Sequence, residues 1–94
     1  MGKYVVYMVR CSDGSLYTGI TNDIKGRILR HNSGKAAKYT RSRLPVNLVY
    51  VEPAQDKSTA LKKEIAIKKL PKLVKESLIN TMENRLNLET YRGC

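Results

Sequence analysis

Tryptophan and phenylalanine are absent from this 94-residue chain, so six tyrosines supply all of its aromatic surface. Acid is scarce too: eight Asp and Glu stand against eighteen Lys and Arg, a formal charge of +10. That balance is too lopsided for a generic small-molecule enzyme and points to a polyanionic partner. No segment approaches the roughly 20 apolar residues of a membrane span, and no sustained apolar stretch follows Lys3, so no signal peptide is expected. The two cysteines, Cys11 and Cys94, show no metal-like spacing. Reduced thiols in a soluble, cytoplasmic protein are the simplest expectation. What remains is a single domain with a modest core. Its hydrophobic content of 41% is too high for a disordered tail.

The positive charge is unevenly placed. No acid occurs between Asp23 and Glu52, and that gap holds Lys25, Arg27, Arg30, Lys35, Lys38, Arg41 and Arg43. A second basic run holds Lys57, Lys62, Lys63, Lys68, Lys69, Lys72 and Lys75, with Glu64 its only acid. Solvated surface is the plain reading of such runs, but solubility alone does not require one sign of charge.

Residues 4–11 are β-branched and aromatic and predict a strand. Ser12-Asp13-Gly14 is turn chemistry, and residues 15–20 form the return strand of a hairpin. A three-residue loop with Gly14 in the left-handed region pairs Cys11 with Ser15, Val9 with Tyr17 and Tyr7 with Gly19. Both tyrosines then share a face, and Gly19 leaves space beside the Tyr7 ring. A two-residue Asp13-Gly14 loop puts the tyrosines on opposite faces. Both registers are open to this sequence.

Thr21 or Asn22 can cap a helix running to about Ser33, with Asp23 in its first turn and Gly34 just past its end. Ile24, Ile28 and Leu29 make its buried stripe, and Arg27 and His31, four apart, share a face. Residues 34–45 read as a loop, and Val46–Glu52 as a third strand ended by Pro53. A second helix runs from about Ser58 to Leu70. Pro71 suits the first turn of a third, through Leu73, Val74, Leu78, Ile79 and Met82. The last ten residues carry no clear pattern. The order β-β-α-β-α-α predicts an α+β fold, a small three-stranded antiparallel sheet flanked by helices. Residues 1–84 form the domain and residues 85–94 a C-terminal tail.

Cleaving a polyanion requires a cation for charge developing on phosphoryl oxygens, a metal ligand, a proton acceptor for water and a path for the leaving group. Arg27 is a permanent cation with fork geometry suited to phosphate. Carboxylate oxygen on Glu64 suits Mg²⁺ or Mn²⁺, which one or two carboxylates plus waters and substrate phosphate can hold. A single carboxylate argues against a two-metal site. Each residue also has an ordinary reading. Tyr7 and Tyr17 are the kind of half-buried aromatics strands carry. Arg27 and His31 suit a helix surface, and Glu64 suits a pair with Lys68 at the i,i+4 spacing.

Their joint order resembles the GIY-YIG nuclease family. Val5-Val6-Tyr7 stands where Gly-Ile-Tyr belongs and Tyr17-Thr18-Gly19 where Tyr-Ile-Gly belongs, followed by Arg27, His31 and then Glu64 within Ala60-Leu61-Lys62-Lys63-Glu64. The resemblance covers roughly residues 3–80 and is closest to the small single-domain bacterial members. Val5 replaces a glycine, Thr18 an apolar residue, and Ile20 and Thr21 stand where some members carry a lysine. Asn80 is a candidate for a downstream asparagine.

The resemblance implies an endonuclease hydrolysing DNA phosphodiesters with one divalent metal, Mg²⁺ or Mn²⁺. Glu64 would hold the metal, and Tyr17 would be the general base. Arg27 would stabilise developing charge, and Tyr7 and His31 would position or shuttle protons. With no added binding domain in this chain, Lys25, Arg30, Lys35, Lys38, Arg41, Arg43, Lys62, Lys63 and Lys68 are the candidate nucleic-acid contacts. The substrate is expected to be structured or single-stranded DNA in repair or turnover, with a protein partner as a second source of specificity and no membrane. The alternative is a non-catalytic DNA- or RNA-binding adaptor with a nuclease-like fold.

Overall fold

The computed structural model describes residues 4–92, so Cys94 and Lys3 lie outside the described residues. The elements are β1 (Tyr4–Arg10), β2 (Leu16–Thr21), α1 (Ile24–Asn32), α2 (Lys38–Arg41), β3 (Asn47–Ala54), α3 (Lys57–Lys68), α4 (Lys72–Ile79) and α5 (Met82–Arg92). The strands form one antiparallel sheet in the order β2-β1-β3, the α+β class that the sequence predicts. β1 is therefore central, and helices cover both its faces. That is why Val5 to Val9 read as an unbroken apolar run: all five are buried. Val5, Tyr7 and Val9 pack with Ile24, Val46, Leu48 and Val51 on one side. Val6 and Met8 pack with Tyr50, Ala60 and Ile67 on the other.

The hairpin takes the three-residue loop. Gly14 has φ +85°, and the Cys11 N–H donates to the Ser15 carbonyl at 2.8 Å. Val9 lies opposite Tyr17 and Tyr7 opposite Gly19, so both tyrosines face the α1 side. Their register also fixes the start of α1. Asp23, not Thr21 or Asn22, is its N-cap, accepting the Gly26 N–H at 3.1 Å, while Thr21 Oγ1 accepts the Asp23 N–H at 3.0 Å. The polar side chains of residues 21 and 23 thus divide the capping work.

Several other boundaries move. Leu29, expected in the buried stripe, is 73% exposed, because Ile24, Ile28 and His31 already fill the sheet-facing side. The segment 34–45 contains the one-turn α2. β3 continues through Pro53 to Ala54; an edge strand tolerates a residue without an N–H. Asp56 caps α3, accepting from the Thr59 N–H at 2.8 Å. Pro71 sits at the N-cap of α4 rather than within its first turn. Leu78 and Ile79 reach the core, whereas Leu73 and Met82 stay exposed and Met82 opens a separate helix.

Residues 85–92, which carry no apolar period, continue α5 against β3. Opposite β1, Met8 pairs with Tyr50 and Val9 with Leu48, leaving Val49 as the extra residue of a β-bulge. Buried Asn84 services that irregularity. Its Nδ2 donates to the Val49 carbonyl at 2.8 Å, and its Oδ1 accepts the Val51 N–H at 3.0 Å. Asn87 Nδ2 adds a bond to the Val51 carbonyl at 3.0 Å. On the far side, Arg10 grips the Glu76 carboxylate with both terminal nitrogens at 2.7 and 2.8 Å, tying α4 to β1.

Candidate active site

The register brings Tyr7 and Tyr17 to one face, and Gly19 makes the arrangement possible. A Cβ at Gly19 would lie 2.7 Å from the Tyr7 oxygen and 2.9 Å from its Cζ, so the phenol lies directly over the glycine. α1 starts immediately after β2 and carries Arg27 and His31 back across this face. His31 is buried, and its Nε2 lies 2.8 Å from the Tyr7 oxygen. The Tyr17 ring meets the His31 ring edge-on at 5.4 Å.

α2 closes the other side. Thr40 Oγ1 lies 2.9 Å from His31 Nδ1. Tyr39 stacks on Tyr17 with centroids 6.1 Å apart and planes at 21°. Arg43 covers the Tyr39 ring, its Cζ 4.0 Å from the centroid. Arg43 Nε is in turn 3.1 Å from Asp13 Oδ2, and its Nη1 donates to the Tyr39 carbonyl at 2.7 Å.

Burial pushes the Tyr7 phenol up to about 12; the neighbouring Arg27 guanidinium opposes this, and the Tyr17 and Glu64 charges add to it. Burial first, then the Arg27 charge, hold His31 below its ordinary value. Tyr7 and His31 are therefore both neutral near pH 7. Glu64 lies on α3, between buried Ala60 and Ile67 along the sheet-facing side. Its side chain is only 17% exposed, and Oε2 lies 3.4 Å from Lys68 Nζ. Beneath α3, on the β2 face shared with Met8, Thr18 Oγ1 is buried with no hydrogen-bond partner. No cluster of three or more His, Cys, Asp or Glu side chains forms among the described residues.

A model of the GIY-YIG catalytic domain matches residues 3–77. The chain belongs to the GIY-YIG catalytic domain family. Its relatives include a UPF0213 protein of Staphylococcus saprophyticus, 51% identical over 80 residues, covering 85% of this chain and 98% of the relative. A UPF0213 protein of Desulfotalea psychrophila is 53% identical over 81 residues, covering 85% and 74%. Two structures solved by NMR in solution are similar. A UPF0213 protein from Bacillus halodurans is 44% identical, with a TM-score of 0.53 over 82% of each chain. A protein from E. faecalis is 38% identical, with a TM-score of 0.61 over 88% of each chain. Membership implies a nuclease lineage with a nucleic-acid substrate. No helix among the described residues is long and apolar enough to cross a membrane.

Tyr7, Tyr17, Arg27 and His31 thus come together, and Glu64 lies within electrostatic reach of Tyr7. The basic residues divide. Lys25, Arg30, Lys35, Lys38, Arg41 and Lys62 are exposed. Arg43 is held by Asp13 and Tyr39, Lys63 pairs with Glu52 at 2.6 Å and Lys68 pairs with Glu64. Those three pairings make them weaker candidates for phosphate contacts than the six exposed cations. Tyr39 and Thr40 escape sequence reasoning, since no periodicity links a four-residue helix to α1 or β2. The available signal was slight: Tyr39 is the only aromatic residue between Tyr17 and Tyr50. Asn80 is exposed at the C-cap of α4.

Proposed function

We propose that the chain is a metal-dependent endonuclease that hydrolyses DNA phosphodiester bonds, acting in repair or turnover of structured or single-stranded DNA. The observation that carries this reading is the neutral Tyr7–His31 pair beside Arg27, with the Glu64 carboxylate within electrostatic reach of Tyr7. A packing role alone accounts poorly for a buried phenol, a buried imidazole and a guanidinium in one place with a carboxylate whose field reaches them.

Glu64 fits a divalent ion held by few protein ligands: it is a largely buried carboxylate, and no group of three or more His, Cys, Asp or Glu forms among the described residues, a donor set suited to Mg²⁺ or Mn²⁺ completed by waters and substrate phosphate. The ion, when bound, would supply positive charge at the scissile phosphate. Arg27 stabilises the same developing charge from the protein side. Water forms the new P–O bond, its proton passes to the Tyr17 oxygen while that phenol hands its own proton to solvent, and the bond to the leaving sugar oxygen breaks, that oxygen taking a proton from solvent. Tyr17 suits this role better than Tyr7, whose oxygen is buried and engaged with His31 Nε2. The stack of Tyr39 on Tyr17 holds the base in place. The six exposed cations contact phosphates, so binding should weaken steeply with salt.

The Glu64–Lys68 pair favours a second reading, a non-catalytic DNA- or RNA-binding adaptor in which Glu64 is an ordinary helix-surface partner. A cleavage assay separates the two. Labelled single-stranded, duplex and branched DNA, and single-stranded RNA, are incubated with Mg²⁺, Mn²⁺ or EDTA. Metal-dependent DNA cutting that both Glu64→Ala and Arg27→Ala abolish is the expected result. Tight binding without cutting by the wild type overturns the nuclease reading in favour of the adaptor.

A further inference from the structure

His31 makes two hydrogen bonds but, when neutral, carries one ring proton, so its tautomer decides the direction of everything attached to it. Its Nδ1 faces Thr40 Oγ1 at 2.9 Å and its Nε2 faces the Tyr7 oxygen at 2.8 Å. Thr40 is fully buried and has a second contact: its hydroxyl donates to the Ala37 carbonyl at 3.1 Å. Back-bonding of this kind is common for threonine in a helical turn.

Only one tautomer uses all three contacts. With the proton on Nδ1, His31 donates to Thr40, Thr40 donates to Ala37, and Tyr7 donates to Nε2. With the proton on Nε2, Thr40 must turn its hydrogen to Nδ1, and its bare oxygen then faces the Ala37 carbonyl oxygen at 3.1 Å. That arrangement loses one bond and sets two acceptors against each other. It also turns the Tyr7 proton away from His31, toward the Arg27 guanidinium that donates to the same phenol oxygen.

We infer that Thr40 is a positioning residue for Tyr7: its buried hydroxyl holds His31 as the Nδ1–H tautomer, so the Tyr7 phenol donates inward and keeps its lone pairs for Arg27. The chain of donors runs from the cleft into α2 and ends on a backbone carbonyl. The consequence for rate rests on the nuclease reading above; the wiring itself does not.

His31 is the sole histidine, so a long-range ¹H–¹⁵N spectrum of the labelled full chain at neutral pH reports one pair of ring nitrogens. Wild type and Thr40→Ser should show protonated, pyrrole-type Nδ1 and bare Nε2. Thr40→Val keeps the shape but removes the acceptor, and should shift the population several-fold toward Nε2–H. A wild-type spectrum with Nε2–H, or a Thr40→Val spectrum unchanged from wild type, overturns the inference. If Thr40→Val fails to fold, Thr40→Ala, which also lacks the hydroxyl, takes its place with the same expected shift, and an unchanged spectrum there overturns the inference. In the cleavage assay Thr40→Val should lower kcat roughly tenfold to a hundredfold with KM little changed, and Thr40→Ser should restore it. A shifted tautomer with unchanged kcat would overturn the positioning role. If the wild type cuts no DNA while the Nδ1–H pattern holds, the nuclease reading fails and the wiring stands.

Discussion

The two faces of β1 are built from alternate residues of one strand and obey different rules. Toward α3, Val6 and Met8 meet Ala60 and Ile67 with no hydrogen-bonding demand of their own. Toward α1 and α2, Tyr7 carries a hydroxyl into an equally dry interior, where His31 and Thr40 must answer it. Apolar packing tolerates sliding and repacking, whereas a hydrogen-bonded chain fixes distances and proton positions. The Tyr7–His31–Thr40 part of the candidate site therefore sits where one strand face has traded adaptable packing for directed bonds. The exception sharpens the contrast: Thr18 places an unanswered hydroxyl on the apolar side.

Four experiments test that division. Met8→Ala removes a fully buried side chain from the apolar side; chemical denaturation should register a loss of about 2–5 kcal/mol. Cleavage per folded molecule should hold near wild type, and a large fall would show that the faces are not separable. Tyr7→Phe keeps the ring and strands His31 Nε2 without its donor, costing about 1–3 kcal/mol by the same measurement. Here activity should fall with stability, and unchanged activity would remove Tyr7 from the site.

The pH dependence of stability reads the polar face among other groups. His31 is held below its ordinary value of about 6.5, so as pH falls through that value the unfolded chain takes up a proton that the folded chain refuses. Stability should drop by up to about 1.4 kcal/mol per pH unit until the folded value is reached. Tyr7 works at the other end. Its folded value near 12 against 10 unfolded means the unfolded chain loses its proton first, so stability falls as pH rises through that interval. Tyr50, also raised by burial and by its bond to Glu52, acts in the same direction. The alkaline fall should therefore shrink in Tyr7→Phe without vanishing. Thr18→Val gives the smallest effect: replacing an unpaired buried hydroxyl with a methyl should raise stability by about 1 kcal/mol. Destabilisation instead would mean that the hydroxyl has a partner.

The local chemistry of the chain made much of this legible. Gly14 announced a turn, and the spacing across it offered the register that puts Tyr7 over Gly19. The starts expected at about Ser58 and at Pro71 fall within a residue or two of those found. The failures share a cause: interactions that follow no period. α5 meets β3 through the amide groups of Asn84 and Asn87 as well as through Leu88 and Tyr91, so no continuous apolar stripe advertises it. Leu29 fitted the helical stripe but lost its place to buried His31. Thr40 and Tyr39 act across α2, α1 and β2, a meeting of segments that spacing along the chain does not encode.

The amides of α5 carry one more implication. A three-stranded sheet offers outer strands to which another extended segment could add, and such addition is a common route to clumping. Along the middle of β3, Asn84 and Asn87 already occupy the groups at Val49 and Val51 that an intruder would need. Helix α5 thus acts as a plug over the middle of that outer strand. A version shortened before Met82 should be harder to keep in solution than its loss of core would suggest.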